Sequence, residues 1–387
     1  MKKTLALLLA AITLLLCACS PKTAAPLNPT AGDGDIAALE KLYEGRVAYH
    51  GDTHVHTNSG GNSDGKLPID MWPATMDRAG VDFVAIMDHR QTIHMRMEEW
   101  DDSIFIGGAE CGIYFSSVNE EKGKQKMHAL YLFSDVEDFE NVLNAFPEIY
   151  AYTDGLVAQY GNGNVLSHEQ LAQIIETVKR NNGLFVYPHP LLVGNGPTSG
   201  ELMDFWFADE TGLEIFYGMY GPAEYRDQTL EQYELWKQLL AEGKRIWATA
   251  GSDSHTQAMT TALSTIYSEE KSGAAFLERM RVGDFTPAPI GIRMAIGDTL
   301  MGGQGSFEGE KVIFSVGDFH ESVLEKYKNF RVVLLDDSGE VFRQDFTAEQ
   351  TAYFAVEAKK DAKFYRVEIY DADKDLLIGI GNPIWNQ

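Results

Sequence analysis

The chain has 387 residues, of which 44% are hydrophobic and 23% charged, a composition typical of a folded globular protein that excludes a disordered or fibrous chain. Its 57 acidic residues outnumber its 32 basic ones and give a formal net charge of −25, so we expect neither nucleic acid nor an anionic membrane surface as a main partner. Three cysteines are too few for a disulfide scaffold.

The N-terminal residues have the pattern of an export signal. Two lysines precede an apolar run over 5–16, which is shorter than the roughly 20 residues that span a bilayer. The following Leu-Cys-Ala-Cys over 16–19 resembles a bacterial lipobox and predicts a signal peptide over 1–18 with lipid on Cys19. A plain secretory signal is the alternative. We therefore expect an exported protein of the cell envelope, attached to a membrane through its N-terminal lipid only.

Residues 19–45 are predicted to form a lipid-anchored flexible tether. The stretch from 20 to about 36 is rich in Pro, Ala and Gly and shows no periodicity. Two folded domains are predicted after it, over 46–292 and 293–387.

The first of these domains alternates short apolar runs with amphipathic stretches. The apolar runs are 81–87, 104–108, 184–187, 213–217 and 246–250. Their nearly continuous hydrophobicity is typical of strands buried on both faces of a parallel sheet. Ser167 and Gln170 have the spacing of a helix capping box, and Asn182-Gly183 is a helix stop. A second helix is predicted from Leu230 to Gly243. The alternation predicts an α/β fold, open or closed.

The pattern changes after residue 293. Short strands are predicted over 312–316, 330–335, 353–356 and 365–370, with polar turns at 337–339 and 371–375 and no helical period between them. Residues 293–387 are therefore predicted to form a small antiparallel β domain of the sandwich type.

Histidines and acids recur at or near the ends of the predicted strands. Because the loops after the strands of a parallel barrel face one mouth, we expect these side chains to converge there. Imidazoles and carboxylates together suit Zn, Mn or Fe, and two or three such ions would relieve the repulsion among the acids. His128 begins a strand, so we predict a hairpin that returns it from Glu110 to the same mouth. The residues are His54, His56, Asp64, Asp88, His89, Glu110, His128, His189, Asp253 and His255.

These residues lie in short motifs that together resemble the PHP (polymerase and histidinol phosphatase) domain over about residues 48–285. The motifs are His54-Val55-His56-Thr57, Ser63-Asp64-Gly65, Met87-Asp88-His89, Gly108-Ala109-Glu110, His128 before Tyr131-Leu132, Pro188-His189-Pro190 and Gly251-Ser252-Asp253-Ser254-His255. Segments near Leu213-Glu214-Ile215, Leu235-Trp236 and Gly243-Lys244, and the tail from Gly381 to Trp385, look like the secreted branch that includes carbaryl-hydrolysing metallohydrolases.

The resemblance implies a distorted seven-stranded (β/α)7 barrel of the PHP type that holds two or three divalent metal ions, with Zn, Mn or Fe as candidates. By residue matching, the metal ligands would be His54, His56, Asp64, His89, Glu110, His128, His189, Asp253 and His255. Glu110 would bridge two ions, and Asp88 would orient a ligand imidazole.

The implied activity is metal-dependent hydrolysis of a small-molecule ester, with a small phosphoester favoured and a metal-bridged hydroxide as the attacking group. A carboxyl or carbamate esterase or an amidase is the alternative, and a non-enzymatic surface binding protein is a third possibility. The sequence leaves the oligomeric state open.

Two features near the motifs have alternative interpretations. Arg90 and Arg96 flank His94, and either arginine could clamp a phosphate or simply belong to a charged helix start, with Arg90 the better candidate. The aromatic segments 150–160 and 217–225 either line the pocket or pack in the core.

Overall fold

The computed structural model describes residues 31–116, 124–150, 165–191, 207–218, 227–256 and 262–387. The predicted signal peptide, Cys19 and the tether up to residue 30 lie outside the described residues. So do residues 151–160 and 219–225 of the two aromatic segments. Among the helices that the structure describes, none has the length and hydropathy needed to cross a membrane.

Strands and helices alternate over the first three quarters of the chain. In order they are α1 (Asp33–Leu42), β1 (Val47–Val55), α2 (Trp72–Ala79), β2 (Phe83–Ile86), β3 (Phe105–Ser116), β4 (Lys124–Phe133), α3 (Val136–Ala145), β5 (Val165–Leu166), α4 (His168–Arg180), β6 (Leu184–Tyr187), β7 (Thr211–Tyr217), α5 (Asp227–Ala241), β8 (Ile246–Gly251), β9 (Ser264–Ser268), α6 (Gly273–Arg281) and β10 (Phe285–Thr286). Short 3-10 helices cover Ile69–Met71, Ile93–Arg96 and Pro147–Tyr150.

Strands β1 to β10 form one barrel-like sheet in the order β10-β9-β1-β2-β3-β4-β6-β7-β8, with β5 beside β3. The sheet is nearly closed between β1 and β8. There Val55 bridges Ser254, the backbone N–H of His56 donates to the Ser254 carbonyl at 2.9 Å, and the Thr53 hydroxyl donates to the Ala250 carbonyl at 2.7 Å. The predicted α/β fold is therefore confirmed in its coarse form.

The strand directions differ from those of a seven-stranded parallel barrel. In the described part of the chain β1, β2, β3, β6, β7 and β8 run parallel, whereas β4 is antiparallel to both β3 and β6. The reason is the β3–β4 hairpin, because a short connection can join only antiparallel strands. The hairpin pairs Gly112 with His128 and confirms the return predicted from Glu110.

Local sequence signals account for the helix ends near this sheet. The Ser167 hydroxyl accepts from the backbone N–H of Gln170 at 3.2 Å, and the Gln170 side chain accepts from the N–H of Ser167 at 2.9 Å, as the predicted capping box requires. Helix α4 then buries Leu171, Ile174 and Val178 at helical spacing.

The later residues form two further sheets. Their elements are β11 (Ile290–Ile296), β12 (Thr299–Leu300), β13 (Gln304–Gly305), β14 (Lys311–Phe319), α7 (Glu321–Lys326), β15 (Asn329–Asp336), β16 (Gly339–Thr347), β17 (Ala352–Glu357), β18 (Phe364–Asp371), β19 (Leu376–Ile380) and β20 (Ile384–Asn386). One sheet has the order β12-β11-β14-β17 and the other β13-β20-β18-β15-β16, with β19 beside β18.

These C-terminal sheets are mostly antiparallel, as predicted, although β13 and β20 pair in parallel. Phe314 and Val316 of one sheet share an apolar core with Phe330 and Val367 of the other. The sandwich arrangement stays a prediction. The predicted boundary between residues 292 and 293 falls inside β11. Helix α7 was not expected; His320 caps its first turn by accepting from the backbone N–H of Ser322 at 3.2 Å.

Residues 33–42 form helix α1 instead of the flexible tether expected up to residue 45. Leu39 is fully buried, and the Glu40 carboxylate pairs with the Arg293 guanidinium at 2.7 Å. The acidic residues Asp33 and Asp35 lie in the first helical turn, where the helix dipole favours negative charge. The helix was missed because its partners lie more than 200 residues away.

Candidate metal centre

The structure brings all nine predicted metal ligands to one end of the barrel-like sheet. His54 lies in β1, Glu110 in β3 and His128 in β4, while the others lie in the segments that follow β1, β2, β6 and β8. Those remaining ligands are His56, Asp64, His89, His189, Asp253 and His255. Their convergence follows from strand direction, because the carboxyl ends of β1, β2, β6 and β8 meet at the same edge.

Glu110 lies at the centre of this cluster and is 1% exposed. Its Oε2 atom is 3.1 Å from His56 Nε2, 3.5 Å from His54 Nε2 and 3.3 Å from His89 Nδ1. Its Oε1 atom faces His128 Nδ1 and lies 3.3 Å from His189 Nε2. The two oxygens therefore face two different sets of imidazoles, which is the arrangement that a bridging carboxylate needs.

Asp253 divides its oxygens in a similar way. Its Oδ1 atom lies 2.9 Å from His56 Nε2 and 3.4 Å from His54 Nε2. Its Oδ2 atom accepts a hydrogen bond of 3.0 Å from the Tyr217 hydroxyl at the end of β7. Oδ2 also lies 3.7 Å from His189 Nε2, so both oxygens face imidazoles and one of them is held in place by a phenol.

Asp64 lies at the outer side of the cluster, and its side chain is 52% exposed. Its carboxylate is 3.1 Å from His255 Nε2 and 3.6 Å from His89 Nε2. This end of the cluster is therefore open to solvent, whereas Glu110 is enclosed.

Four sets of side chains have donor atoms within 4.8 Å of one another and could each hold a metal ion. Neighbouring sets share His54, His56, Glu110 or His189, so adjacent ions would be held close together. The sets are His56, Asp64, His89 and His255; His54, His56, Glu110 and Asp253; Glu110, His128 and His189; and His54, His189 and Glu214.

The donor atoms fit metal ions better than they fit one another. Glu110 Oε2 and Asp253 Oδ1 are buried, and no group in the described parts of the chain gives either oxygen a hydrogen bond of acceptable geometry. Buried carboxylate oxygens without donors are costly, so a cation at their meeting point would satisfy them. Mixed imidazole and carboxylate donors suit Zn, Mn or Fe.

The pKa values of the donor groups are shifted because imidazoles and carboxylates are crowded together. Burial alone would lower the pKa of His56, but the nearby carboxylates of Asp253 and Glu110 outweigh burial and raise it to about 9. Burial and the neighbouring imidazoles His56 and His128 instead lower the pKa of His89 to about 4, against the opposing effect of Glu110 and Asp64. The pKa of Glu110 is held well below its usual value because facing imidazoles outweigh its burial. Metal binding would therefore displace protons from this centre.

The contacts of Asp88 differ from the prediction that it orients the imidazole of a metal ligand. Its carboxylate accepts from the backbone N–H and the hydroxyl of Thr57 at 2.6 and 2.7 Å and lies 3.1 Å from His94 Nδ1. Burial would raise the pKa of Asp88, but His94 and the hydrogen bonds lower it. Its side chain therefore fixes His94 and the loop after β1; the described contacts do not include an imidazole of the nine predicted ligands.

The two arginines that flank His94 differ in position. Arg90 is half-buried, has a left-handed backbone φ of 50° and donates its N–H to the Glu110 carbonyl at 3.0 Å. Arg96 is 54% exposed and pairs with Glu140 at 2.6 Å on the surface. The structure thus places Arg90, and not Arg96, next to the backbone of the central carboxylate.

Glu214 and Asp52 contact the centre but were not recognised as functional. Glu214 Oε1 lies 3.2 Å from His54 Nδ1. Asp52 Oδ1 accepts from the backbone N–H groups of His54 and Ser252 at 3.1 and 3.0 Å, and burial raises the pKa of Asp52 to about 6. For Glu214 the sequence did offer a signal: it is the single acid inside the apolar run of β7, and a buried charge needs a partner.

No family model matches the chain, and no curated protein does. Among solved structures, similarity is found to a protein of Bifidobacterium adolescentis described as a metal-dependent phosphoesterase, at 18% identity and a TM-score of 0.31, over 54% of this chain and 88% of the other. Endonuclease Q of Pyrococcus furiosus is similar at 12% identity and a TM-score of 0.36, over 61% of this chain and 56% of the other. A complex of endonuclease Q with a 27-mer duplex containing an abasic lesion gives 14% identity and a TM-score of 0.36, over 61% and 57%.

This chain thus spans little more than half the length of the endonuclease Q chains. All three TM-scores are below 0.5. None of the three structures is described as a carbaryl hydrolase, and membership of that branch stays a prediction.

The expectation of a small ester substrate with no nucleic acid is not upheld: among the similar structures, endonuclease Q is described as a lesion-specific endonuclease, and one of its structures holds a 27-mer duplex substrate with an abasic lesion. The exclusion rested on a net charge of −25 for the whole chain. Whole-chain charge is a poor guide here, because divalent ions are the largest local charges in a metal site and can reverse its sign.

The four ligand sets predict different metal losses for two carboxylate variants. Asp64→Asn should remove only the outer ion, because Asp64 belongs to one set, whereas Glu110→Gln should weaken every ion bound by its two sets. Metal per chain is measured by plasma mass spectrometry after dialysis against Mn²⁺ or Zn²⁺. The exposed Asp70→Asn is the matched control and should match the wild type. Equal losses in Asp64→Asn and Glu110→Gln would contradict the assignment of separate sets.

Proposed function

We propose that the protein is a metal-dependent phosphoester hydrolase. The observation that carries this proposal is the ligand balance at the centre: six imidazoles and three carboxylates converge, with Glu110 between two sets. With neutral imidazoles, these three carboxylates and Glu214 together contribute −4, so two divalent ions would leave no net charge and three would leave +2. With three ions, a positive site enclosed by a negatively charged protein would attract the anionic group of a phosphoester.

The chain's own residues supply the positioning of the donor groups at this site. Glu110 holds its two oxygens toward different imidazole sets, and the Tyr217 hydroxyl fixes Asp253 through its outer oxygen. Divalent ions bound there would activate water and offset charge on the ester oxygens. The motifs that resemble the PHP domain support the same chemistry.

A covalent route through a side-chain nucleophile has little support near the centre. Cys111 follows Glu110, but it is fully enclosed, and burial raises the pKa of its thiol. The thiol therefore stays protonated and unreactive at neutral pH. The hydroxyls of Ser252 and Ser254 face the backbone carbonyls of His54 and Thr256. This favours direct attack by water.

We expect the full chain, loaded with Mn²⁺, to release p-nitrophenol from p-nitrophenyl phosphate or from bis(p-nitrophenyl) phosphate. His54→Ala should lower the rate at least about a hundredfold, because it removes one ligand of a set that includes the central carboxylate. His168→Ala is the matched control, since His168 is exposed at the start of α4. Turnover is followed at 405 nm, with p-nitrophenyl acetate as a carboxyl ester. Hydrolysis of the acetate alone by the metal-loaded protein would replace the proposal with an esterase.

We further propose Arg90 as a phosphate-binding residue, on the strength of its place between His89 and the Glu110 backbone. Arg90→Ala should weaken competitive inhibition by inorganic phosphate about ten- to a hundredfold, since a hydrogen bond to a charged group contributes about 1.5–3 kcal/mol. Arg96→Ala, which removes an exposed surface ion pair, should change the inhibition constant less than about twofold. Equal effects of the two variants would refute the clamp.

Export and lipid attachment at Cys19 are a separate proposal, supported by the Leu-Cys-Ala-Cys motif at 16–19. Cys19→Ala should move the protein from the membrane fraction to the soluble fraction of a bacterial host, since the acyl chains supply the membrane affinity. Cys17→Ala keeps the predicted lipid site and should remain in the membrane fraction. Fractionation with immunoblotting measures both variants, and release of Cys17→Ala alone would reassign the lipidated residue.

A further inference from the structure

Glu214 lies in β7 behind the metal centre and is 1% exposed. Its Oε1 atom is 3.2 Å from Nδ1 of His54, and its Oε2 atom accepts a hydrogen bond of 2.9 Å from the backbone N–H of His189. His54 belongs to the ligand set with His56 and Asp253, His189 belongs to the set with His128, and both also form a third set with Glu214. One buried carboxylate therefore contacts a member of each set from the side away from Glu110.

We propose that Glu214 is a positioning residue that couples the two inner metal subsites, a role that rests on the proposed metal-dependent function. A carboxylate can only accept hydrogen bonds, so its contact with His54 places the imidazole proton on Nδ1. The Nε2 lone pair of His54 is then directed toward the centre, where Nε2 lies 3.4 Å from Asp253 Oδ1 and 3.5 Å from Glu110 Oε2. Where Nε2 of His54 is to bind a metal ion, the hydrogen bond to Glu214 keeps the remaining ring proton on Nδ1, which is the tautomer that metal binding requires.

The second oxygen of Glu214 acts on the backbone. His189 has a φ of 26°, in the left-handed region that side-chain-bearing residues rarely adopt. Such a conformation persists only where the surroundings hold it. The hydrogen bond from the His189 N–H to Glu214 is such a restraint, and it directs the His189 ring toward Glu110, 3.3 Å from Oε1.

Gly251 at the end of β8 makes room for this arrangement. A Cβ atom at this position would lie 2.5 Å from Glu214 Oε1 and 2.5 Å from the Cβ atom of His54. Real Cβ atoms do not approach other atoms so closely, so any side chain here would separate the carboxylate from the imidazole. Position 251 therefore offers a way to displace Glu214 without changing its charge.

Glu214→Gln tests the proposal while keeping the size of the side chain. Both partners of Glu214 are donors, and an amide has one acceptor oxygen where a carboxylate has two, so the variant either loses one contact or reverses the one to His54 by moving the ring proton to Nε2. We expect the two inner ions to bind about 10–100-fold more weakly, the usual effect of losing a partner of a metal ligand. The affinity of the outer set of His56, Asp64, His89 and His255 should change less than that of the inner sets.

The readouts are Zn²⁺ titration of the metal-free full chain with plasma mass spectrometry, and ¹⁵N NMR of the histidine ring nitrogens. Wild-type His54 should carry its proton on Nδ1, and Glu214→Gln should show a mixture of tautomers. Gly251→Ala should weaken the same two ions. Glu176→Gln, a 64% exposed surface position on α4, is the matched control and should match the wild type.

Three results would overturn the proposal. Wild-type metal affinity in Glu214→Gln would show that the carboxylate positions nothing. Complete loss of one ion at saturating Zn²⁺, with the other inner ion unchanged, would make Glu214 a ligand. An unchanged His54 tautomer in Glu214→Gln would show that Glu214 does not determine which ring nitrogen carries the proton. If the wild type itself binds no metal, it is the proposed function that fails, and the titration separates that outcome from the others.

Discussion

The buried carboxylate of Glu110 is the interaction on which the rest of the site depends. It lies among five imidazoles from β1, β4 and the segments after β1, β2 and β6, and its two oxygens face different sets of them. An enclosed carboxylate without cations would be costly, so the fold must bring compensating groups from elements distant in sequence. The near closure of the sheet between β1 and β8 then adds Asp253, completing the ring of donors.

The reversed strand β4 follows from the same requirement. A parallel strand would carry its side chains to this edge only at its carboxyl end, whereas the hairpin places His128 opposite Gly112, next to Glu110 in β3. The departure from a parallel barrel thus serves the site. It also explains why His128, which lies near the start of a predicted strand, is grouped with histidines that lie at the ends of other strands.

Much of the ligand cluster was predictable because its residues lie in short motifs at the ends of apolar runs. The α4 capping box and the β3–β4 hairpin were predictable for the same local reason. The contacts of Glu214 were not, because its partners His54 and His189 lie 160 and 25 residues away. Asp88 was assigned the wrong surroundings because adjacency to His89 does not reveal that its carboxylate points at Thr57 and His94. Helix α1 was missed because its stabilising contact to Arg293 is equally non-local.

Residues of the C-terminal sheets also contact the strands and the helix behind the site. The Asn382 side chain accepts from the backbone N–H of Ala248 in β8 at 2.8 Å and donates to the Phe285 carbonyl at 3.2 Å, so it takes the place of a strand partner there.

Arg366 and Glu368 of β18 form a buried ion pair, and the Tyr233 hydroxyl of α5 donates to Glu368. The Gln232 side chain of the same helix donates to the Ile215 carbonyl of β7 at 3.1 Å. Because β7 carries Glu214 and β8 leads into Asp253, the frame that fixes these two carboxylates includes residues of the C-terminal sheets. The positions of the two carboxylates at the metal centre therefore depend on contacts from both halves of the chain.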